Sequence, residues 1–479
     1  MLARISLGLT AIALAILPQL AFAQLPEALR DAARAAVVSN PEVQMRWHAF
    51  RAAGAEQDVA RSGYLPQLDA VVSTGAERRS RAGQGSDRFG RSGVTLSLNQ
   101  MVFDGFFTRS EVSRLGHARL ARYYEIVEAS EIAALEASRA YADVLRFREL
   151  VRFAQENYAA HRMVYDQIAE RVQAGVGRRV DLEQAAGRLA LSESNLLTEV
   201  SNLHDVSARF LRVVGVSPVE ALPPFEHALD VATLPPTVQD ALRQAFVTSP
   251  SINAAVEAVR AGQSGVDTAR AAFQPRVDLR ARQLADRNRD NVSGSSRDSV
   301  VELVLSYNLY RGGADQARLR QAAEVVNQNR DMREKACRDL RQTLSIAYND
   351  VERLREQLRY LDQHQLAVAR TRTAYRQQFD IGQRSLLDLL DTENEYFQAR
   401  RAYENARIDQ IVAQLRTLAG MGQLMRALEV AREDLPSIGE LDAEREAVDP
   451  DSLCPPEAPG NLEVDKEAVL AEALRAAGR

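Results

Sequence analysis

The clearest alternation of apolar and polar positions lies in residues 301–310. Val301, Leu303, Leu305, Tyr307 and Leu309 alternate with Glu302, Val304, Ser306, Asn308 and Tyr310. A period of two over ~10 residues predicts a strand with one apolar and one mostly polar face, the pattern of a membrane β-barrel strand. A shorter version occurs at Val94, Leu96 and Leu98 against Thr95, Ser97 and Asn99. Weaker partner strands are predicted through Leu68, Ala70 and Val72 and through Val277, Leu279 and Ala281. The Gly/Ser/Arg-rich stretches 80–93 and 287–299 read as the loops between partners, which makes two β-hairpins and four strands. A soluble ribbon packed on its apolar side would show the same alternation. Four strands cannot close a barrel, because the smallest single-chain barrels use about eight. In a membrane, the barrel would have to be shared between chains.

After each hairpin the period changes. Leu340, Leu344, Ala347, Val351, Leu354, Leu358 and Leu361 step by four and three in turn, a coiled-coil repeat. Ala133, Ala137, Ala140, Val144, Phe147, Val151 and Ala154 keep the same period with smaller residues. From about Ala314 to Ile381 the pattern covers ~68 residues, or ~100 Å of helix. Ile408, Ile411, Leu415 and Leu418 continue the heptad on a return helix. Charges such as Arg338, Asp339, Glu352 and Arg353 fill the other faces. These are staves with one packing seam and a wetted side.

Each long pattern ends in a tip. Ile381-Gly382 closes one helix, and Ser385 with Asp388 three residues later opens the next as a capping-box-like S-x-x-D. Gly175 and Asp181 lie 207 positions before Gly382 and Asp388, and the helix openings at Asn40-Pro41 and Ser249-Pro250 lie 209 apart. The chain therefore reads as two copies of one unit. The predicted organisation has a first repeat over 24–215, with a hairpin at about 64–104 and a tip near 175–181. A Pro-rich linker spans 216–240. The second repeat covers 241–422, with a hairpin at about 273–311 and a tip near 382–388. Residues 423–479 form an equatorial segment and tail.

Composition narrows the compartment. Arg4, the apolar run Ile5–Leu17 and Ala21-Phe22-Ala23 make residues 1–23 a predicted signal peptide. The formal net charge of −5 gives no footprint for nucleic acid. The only cysteines are Cys337 and Cys454. In an exported chain an even count favours a disulfide, with two free thiols as the alternative. The 32 residues between Gly422 and Cys454 are long enough to bring the tail to the height of Cys337. The six histidines are scattered, and no motif suggests a metal, a cofactor or catalytic machinery.

Taken in order, several motifs resemble the TolC family of outer-membrane export ducts. They are the duplicated N/S-P … R-x-x-x-x-P opening, Tyr141-Ala142-Asp143-Val144 with its copy Tyr348-Asn349-Asp350-Val351, and G-x-x-S-x-x-D-x-L-D at 382–391. The resemblance covers about residues 25–425. It implies a mainly α fold with β: a homotrimer whose shared 12-stranded outer-membrane barrel is continuous with a periplasmic helical tube. It further implies an acidic gate ring at the tube's narrow end from Asp388 and Asp391. Mutual repulsion within such a ring raises proton affinity. A tip latch would link Phe379 and Arg384 to Asp181. Two departures bear on the latch: Phe379 stands where a tyrosine is expected, and Val180 where a threonine is expected. The plainer reading of Asp388 is a helix cap, and of Asp391 a solvated residue.

The implied function is an exit duct in contact with outer-membrane lipid. It would dock with a periplasmic adaptor (a membrane fusion protein) and an inner-membrane ABC or resistance-nodulation-division transporter. The cargo would be protein, through type I secretion, or small toxic molecules. Residues 341–350, with Cys337 and the late cysteine, resemble the type I secretion branch. The alternative is a periplasmic coiled-coil adaptor or structural protein without a pore, which ordinarily carries one helical hairpin where this chain has two.

Overall fold

A computed structural model of the chain describes residues 26–81, 84–225, 234–441, 454–460 and 464–477. The predicted signal segment, 1–23, lies outside the described residues, as do parts of 216–240 and 423–479.

The duplication is carried through element by element. The first unit contains α1 (Glu27–Ser39), α2 (Pro41–Arg61), β1 (Gln67–Arg81), β2 (Gln84–Phe103), α3 (Phe107–Gln173) and α4 (Arg179–Val214). The second contains α5 (Val238–Thr248), α6 (Pro250–Arg270), β3 (Arg276–Arg287), β4 (Ser295–Ser306), α7 (Ala314–Asp380) and α8 (Leu386–Gly420). A short α9 (Leu424–Ala427) and a tail helix α10 (Lys466–Ala476) follow. The proline at the first position of α2 and of α6 costs no hydrogen bond there and presets φ. Asn40 caps α2 by accepting the Glu42 amide at 2.9 Å.

Among the described residues four strands form one antiparallel sheet in the order β1-β2-β3-β4, in which β1 and β4 are unpaired edges. Cross-strand register puts Leu68, Leu98, Ala281 and Val301 in one row, and Leu279 and Leu303 in another. Partners in a row share a face. That apolar face is bare: Val301 is 74% exposed and Leu303 68%. The opposite face carries Asn99, Arg280 and Glu302, also in register.

The loop prediction is corrected in the first hairpin. Residues 84–92 are strand, and β1 pairs with β2 from Gln67↔Asn99 out to Arg81↔Gln84. The hairpin ladder satisfies the backbone there whatever the side chains are. A ribbon without an apolar face shows no alternation to reveal it. In the second hairpin the non-strand stretch narrows to 288–294.

Both long helices are 67 residues, or ~100 Å. In the upper half the packing order is α2–α3–α6–α7, and in the lower half α4–α3–α8–α7. The main core surrounds the middle of α3, where Ala137, Ala140, Tyr141 and Val144 meet Ile408, Ile411 and Leu415 of α8 and Leu29, Ala33 and Val37 of α1. The two Tyr-x-Asp-Val motifs play the same part in each unit. The Tyr141 hydroxyl donates to the Pro223 carbonyl at 2.6 Å, and the Tyr348 hydroxyl to that of Pro235 at 2.8 Å. Asp143 pairs with Arg209 at 3.4 Å, and Asp350 with Arg416 at 3.3 Å. The motif thus fastens the inter-unit linker and the return helix to each long helix. No described helix is long and apolar enough to cross a membrane.

Cys337 of α7 and Cys454 are joined in a disulfide, with Cα atoms 5.7 Å apart, in a small core with Leu242, Phe246 and Leu344. Farther along, Lys466 donates to the Tyr360 hydroxyl at 2.5 Å, which sets α10 against α7.

Candidate functional site

The two tips lie at the end of the helices farthest from the sheet. Each depends on one glycine with positive φ, Gly175 at +77° and Gly382 at +76°. No atom would crowd a side chain at either position, so backbone conformation alone calls for glycine. The amides that follow tie back to the helix end: Gly177 N–H donates to Arg171 C=O at 2.9 Å, and Gln383 N–H to Gln378 C=O at 2.8 Å.

Below the tubular part, α3, α4, α7 and α8 share a small core. Phe379 is buried there among Val164, Ile168, Ala185, Leu389 and Leu390. Arg171 lies over its ring, 5.4 Å from the centroid. Phe379 is thus a packing anchor, and a hydroxyl at its ring tip would have entered an apolar cluster.

Within one chain, the described structure pairs Arg384 and Asp181 with other partners and not with each other. Arg384 folds back on its own hairpin. Its guanidinium lies 4.0 Å from the Tyr375 ring centroid, its Nε donates to Gln378 at 3.0 Å, and its Nη1 is 3.6 Å from Asp388. Asp181 pairs with Arg178 three residues before it, at 3.3 Å. Local partners reach each group first, and Tyr375 supplies a stacking face that sequence reading missed.

Ser385 caps α8, and Asp388, three residues on, is partly exposed. The Asp388 amide donates to Ser385 Oγ at 3.2 Å, and the Ser385 hydroxyl donates back to its carboxylate at 2.9 Å. The Ser385 hydroxyl first, and then Arg384, hold the carboxyl below its ordinary range. Within one chain the shift is therefore opposite to the one expected of a ring of repelling carboxylates. Asp391 is half-exposed and forms an ion pair with Arg188 of α4. That pair ties the second tip to the first, a contact the sequence did not signal because the partners are 203 residues apart.

Higher up, buried acids bridge helices. Glu393 is 3% exposed and meets Arg372 at 2.7 Å; Glu199 is 2% exposed and meets Arg401 at 2.5 Å. His161 of α3 is buried, and its Nδ1 has no hydrogen-bond partner. Burial first, and then Arg188, lower its pKa to about 4, which keeps it neutral. Among the described residues no cluster of His, Cys, Asp or Glu is placed to hold a metal ion.

Two solvent-accessible aspartates at the end of a long helical hairpin, beneath a sheet with an apolar outer face, are chemistry suited to passage and selectivity. Comparisons with known proteins point the same way. Residues 32–216 and 241–421 match the family model for outer membrane efflux proteins. The chain is 26% identical to the outer membrane efflux protein BepC of Brucella suis, over 76% of this chain and 79% of that one. It is also 26% identical to the alkaline protease secretion protein AprF of Pseudomonas aeruginosa, over 82% and 84%. The solved CmeC outer membrane channel of Campylobacter jejuni superposes with a TM-score of 0.73 at 16% identity, covering 83% of this chain and 86% of that one. The fold is that of the trimeric TolC-like channels. The chain belongs to the outer membrane efflux protein family: it is an outer-membrane channel protein that extends into the periplasm, and not an enzyme.

Proposed function

We propose that three copies of this chain close one 12-stranded barrel and one helical tube, and that the duct passes cargo from a periplasmic adaptor and an inner-membrane transporter to the exterior. The observation that carries this reading is the open sheet. Its two edges, β1 and β4, have unpaired backbone groups, and its apolar face is bare. An unpaired edge in lipid is prohibitively costly, and only closure removes it. Each β4 would pair with the β1 of the next chain. The helices offer matching open sides. Met332 and Ile346 on α7, and Leu197 and Val200 on α4, are large apolar residues left exposed in one chain. The test is the mass of the detergent-solubilised protein, expected to be that of a trimer. A stable monomer with native β-content would overturn the shared barrel.

At the closed end, Asp388 supplies the acidic ring of the gate. Three copies place three such carboxylates around one axis, a binding site for cations. Asp391 serves mainly as a tie, because Arg188 already offsets its charge. Asp388→Ala is expected to weaken block by multivalent cations in planar bilayers more than Asp391→Ala does. Arg188→Gln is expected to strengthen the block and raise conductance, by freeing Asp391 and loosening the two tips. Equal block in all four proteins would reduce both aspartates to capping and solvation.

Protein export by type I secretion is the favoured cargo class, supported by the likeness to AprF. Crosslinking in cells and identification of the captured inner-membrane partner tests it. An ABC transporter is expected, and a resistance-nodulation-division pump would favour small-molecule cargo instead.

A further inference from the structure

The hairpin β1–β2 outreaches its neighbour. β2 pairs with β3 only as far as Ser92↔Arg287, while its pairing with β1 continues to Arg81↔Gln84. The helices leave from the opposite end of the sheet, so this ribbon points away from the periplasm. Strand alternation sorts its side chains between the two faces. Continuing upward from Val72 and Val94, the apolar face carries Arg78 and Arg88, directly opposite one another. From Ala281 and Val301 the same face leads to Arg287 and Arg297.

The acids go to the other face. Glu77 pairs with Arg79 at 2.9 Å and with Arg91 at 3.3 Å, and Asp298 pairs with Arg289 at 2.5 Å. By register, Asp87 and Asp286 also lie on that inner side. The outward arginines have no such partners. Arg78 donates to Ser86 at 3.2 Å, and among the described residues none of the four forms an ion pair with a carboxylate. All four are exposed. Like charges directly opposite on a sheet destabilise it, so Arg78 facing Arg88 calls for an anion between them.

Heights along the sheet say where that anion lies. The apolar stretch from Phe103 to Val94 spans nine residue steps, ~30 Å along a strand and ~20–25 Å across a membrane once tilted. Arg297 stands level with Val94, Arg287 two residues higher, and Arg88 six residues higher, ~20 Å along the strand. The arginines thus begin where the apolar band ends, on its outer side, and continue into the headgroup layer.

We propose that Arg78, Arg88, Arg287 and Arg297 form a docking surface for the phosphate groups of the phosphorylated glycolipid of the outer leaflet, lipopolysaccharide. Guanidinium forks match phosphate oxygens in bidentate geometry. In the trimer the surface is repeated around the barrel as a basic collar above the acyl chains. The proposal rests on the reading of the apolar sheet face as lipid-facing, and adds the identity of the lipid.

The probe is purified bisphosphorylated lipid A, with dephosphorylated lipid A and phosphatidylglycerol as comparators. Binding to the detergent-solubilised full-length trimer is measured by native mass spectrometry at low and high salt. Wild type is expected to bind the bisphosphorylated form about tenfold or more tightly than the dephosphorylated form, with the preference shrinking in high salt. The variant Arg78→Gln/Arg88→Gln/Arg287→Gln/Arg297→Gln is expected to lose that preference, whereas Arg79→Gln/Arg91→Gln, on the inner face, keeps it. Arg78→Gln/Arg88→Gln alone, in the protruding ribbon, is expected to lose part of it and serves if the fourfold variant does not assemble. No preference in wild type, or an unchanged preference in both outer-face variants, overturns the proposal. Equal, arginine-dependent binding of phosphatidylglycerol overturns the choice of glycolipid. Wild-type protein that forms conducting trimers yet shows no phosphate preference sinks this proposal alone. Wild-type protein that forms no conducting trimer sinks the barrel reading beneath it.

Discussion

The two long helices α3 and α7 have equal length and the same heptad period, yet they are used differently. α3 is enclosed by α1, α2, α4, α6, α8 and α9, while α7 packs mainly against α5, α6 and α8, with the tail pinned across it. Their matched positions show how. Ala133 and Ala137 of α3 correspond to Leu340 and Leu344 of α7, and all four are buried. Small residues let several helices approach α3 closely, since side chains at the contact set interaxial distance. α7 needs larger residues on its single covered side, and its other side stays open for a neighbouring chain. Where α7 has Cys337, α3 has Ser130, whose buried hydroxyl has no partner. Where α7 has Val368, α3 has His161. The duplication repeats a shape, and position in the assembly then assigns each copy its residues.

The strap across α7 provides the largest test of this contrast. The bridge spans a sequence separation of 117 residues. In the chain-entropy model a loop of that size is worth up to ~4–5 kcal/mol. Cys454→Ser is expected to lower the thermal midpoint and open residues 454–477 to protease, while the helices around α3 and the conductance stay intact. Unchanged proteolysis would show that Lys466 and its partners hold the tail unaided.

Exchanging matched core residues comes next. Leu344→Ala is expected to cost ~2–5 kcal/mol through lost burial and a cavity against Gly420 of α8. Ala137→Leu is expected to cost ~1–3 kcal/mol by overpacking. Denaturant unfolding of the two variants measures both. A tolerated Ala137→Leu would mean that α3 is not tightly enclosed.

The smallest effects are expected in pH dependence, where two buried groups on α3 pull in opposite directions. The His161 pKa is depressed from 6.5 to about 4. Its contribution is therefore full above pH 6.5 and lost as pH falls toward 4. Glu131 accepts the Met425 amide at 3.2 Å, and burial raises its pKa from 4.5 to about 7. Its contribution is full below pH 4.5 and lost as pH rises through 7. Thermal midpoints between pH 4 and 8 should flatten at the acid end in His161→Val and at the neutral end in Glu131→Gln. Parallel curves in wild type and both variants would show that neither group titrates across its window.

Much of this architecture was legible because it rests on periodicity. Alternation marked the membrane part of the strands, heptads marked the staves, and glycine with S-x-x-D marked the tips. Ser385 and Asp388 interact as their spacing predicts, since a cap involves only neighbours in sequence. Residues 84–92 were misread as loop because a strand in water needs no apolar face. The intrachain partners of Arg384 were not legible, because Tyr375, Gln378 and Asp388 come within its reach only once the tip has folded.

By itself, then, the sequence determined the local elements, their duplication and the need for a shared barrel, because backbone hydrogen bonding and side-chain period act over a few residues. Only the tertiary structure decided which charges meet. Arg188 reaches Asp391, Arg401 reaches Glu199, and the linker carbonyls of Pro223 and Pro235 each reach a tyrosine. Those choices depend on how four long helices are set side by side. A charged side chain takes the nearest partner that burial leaves it, and no spacing along the chain records that distance.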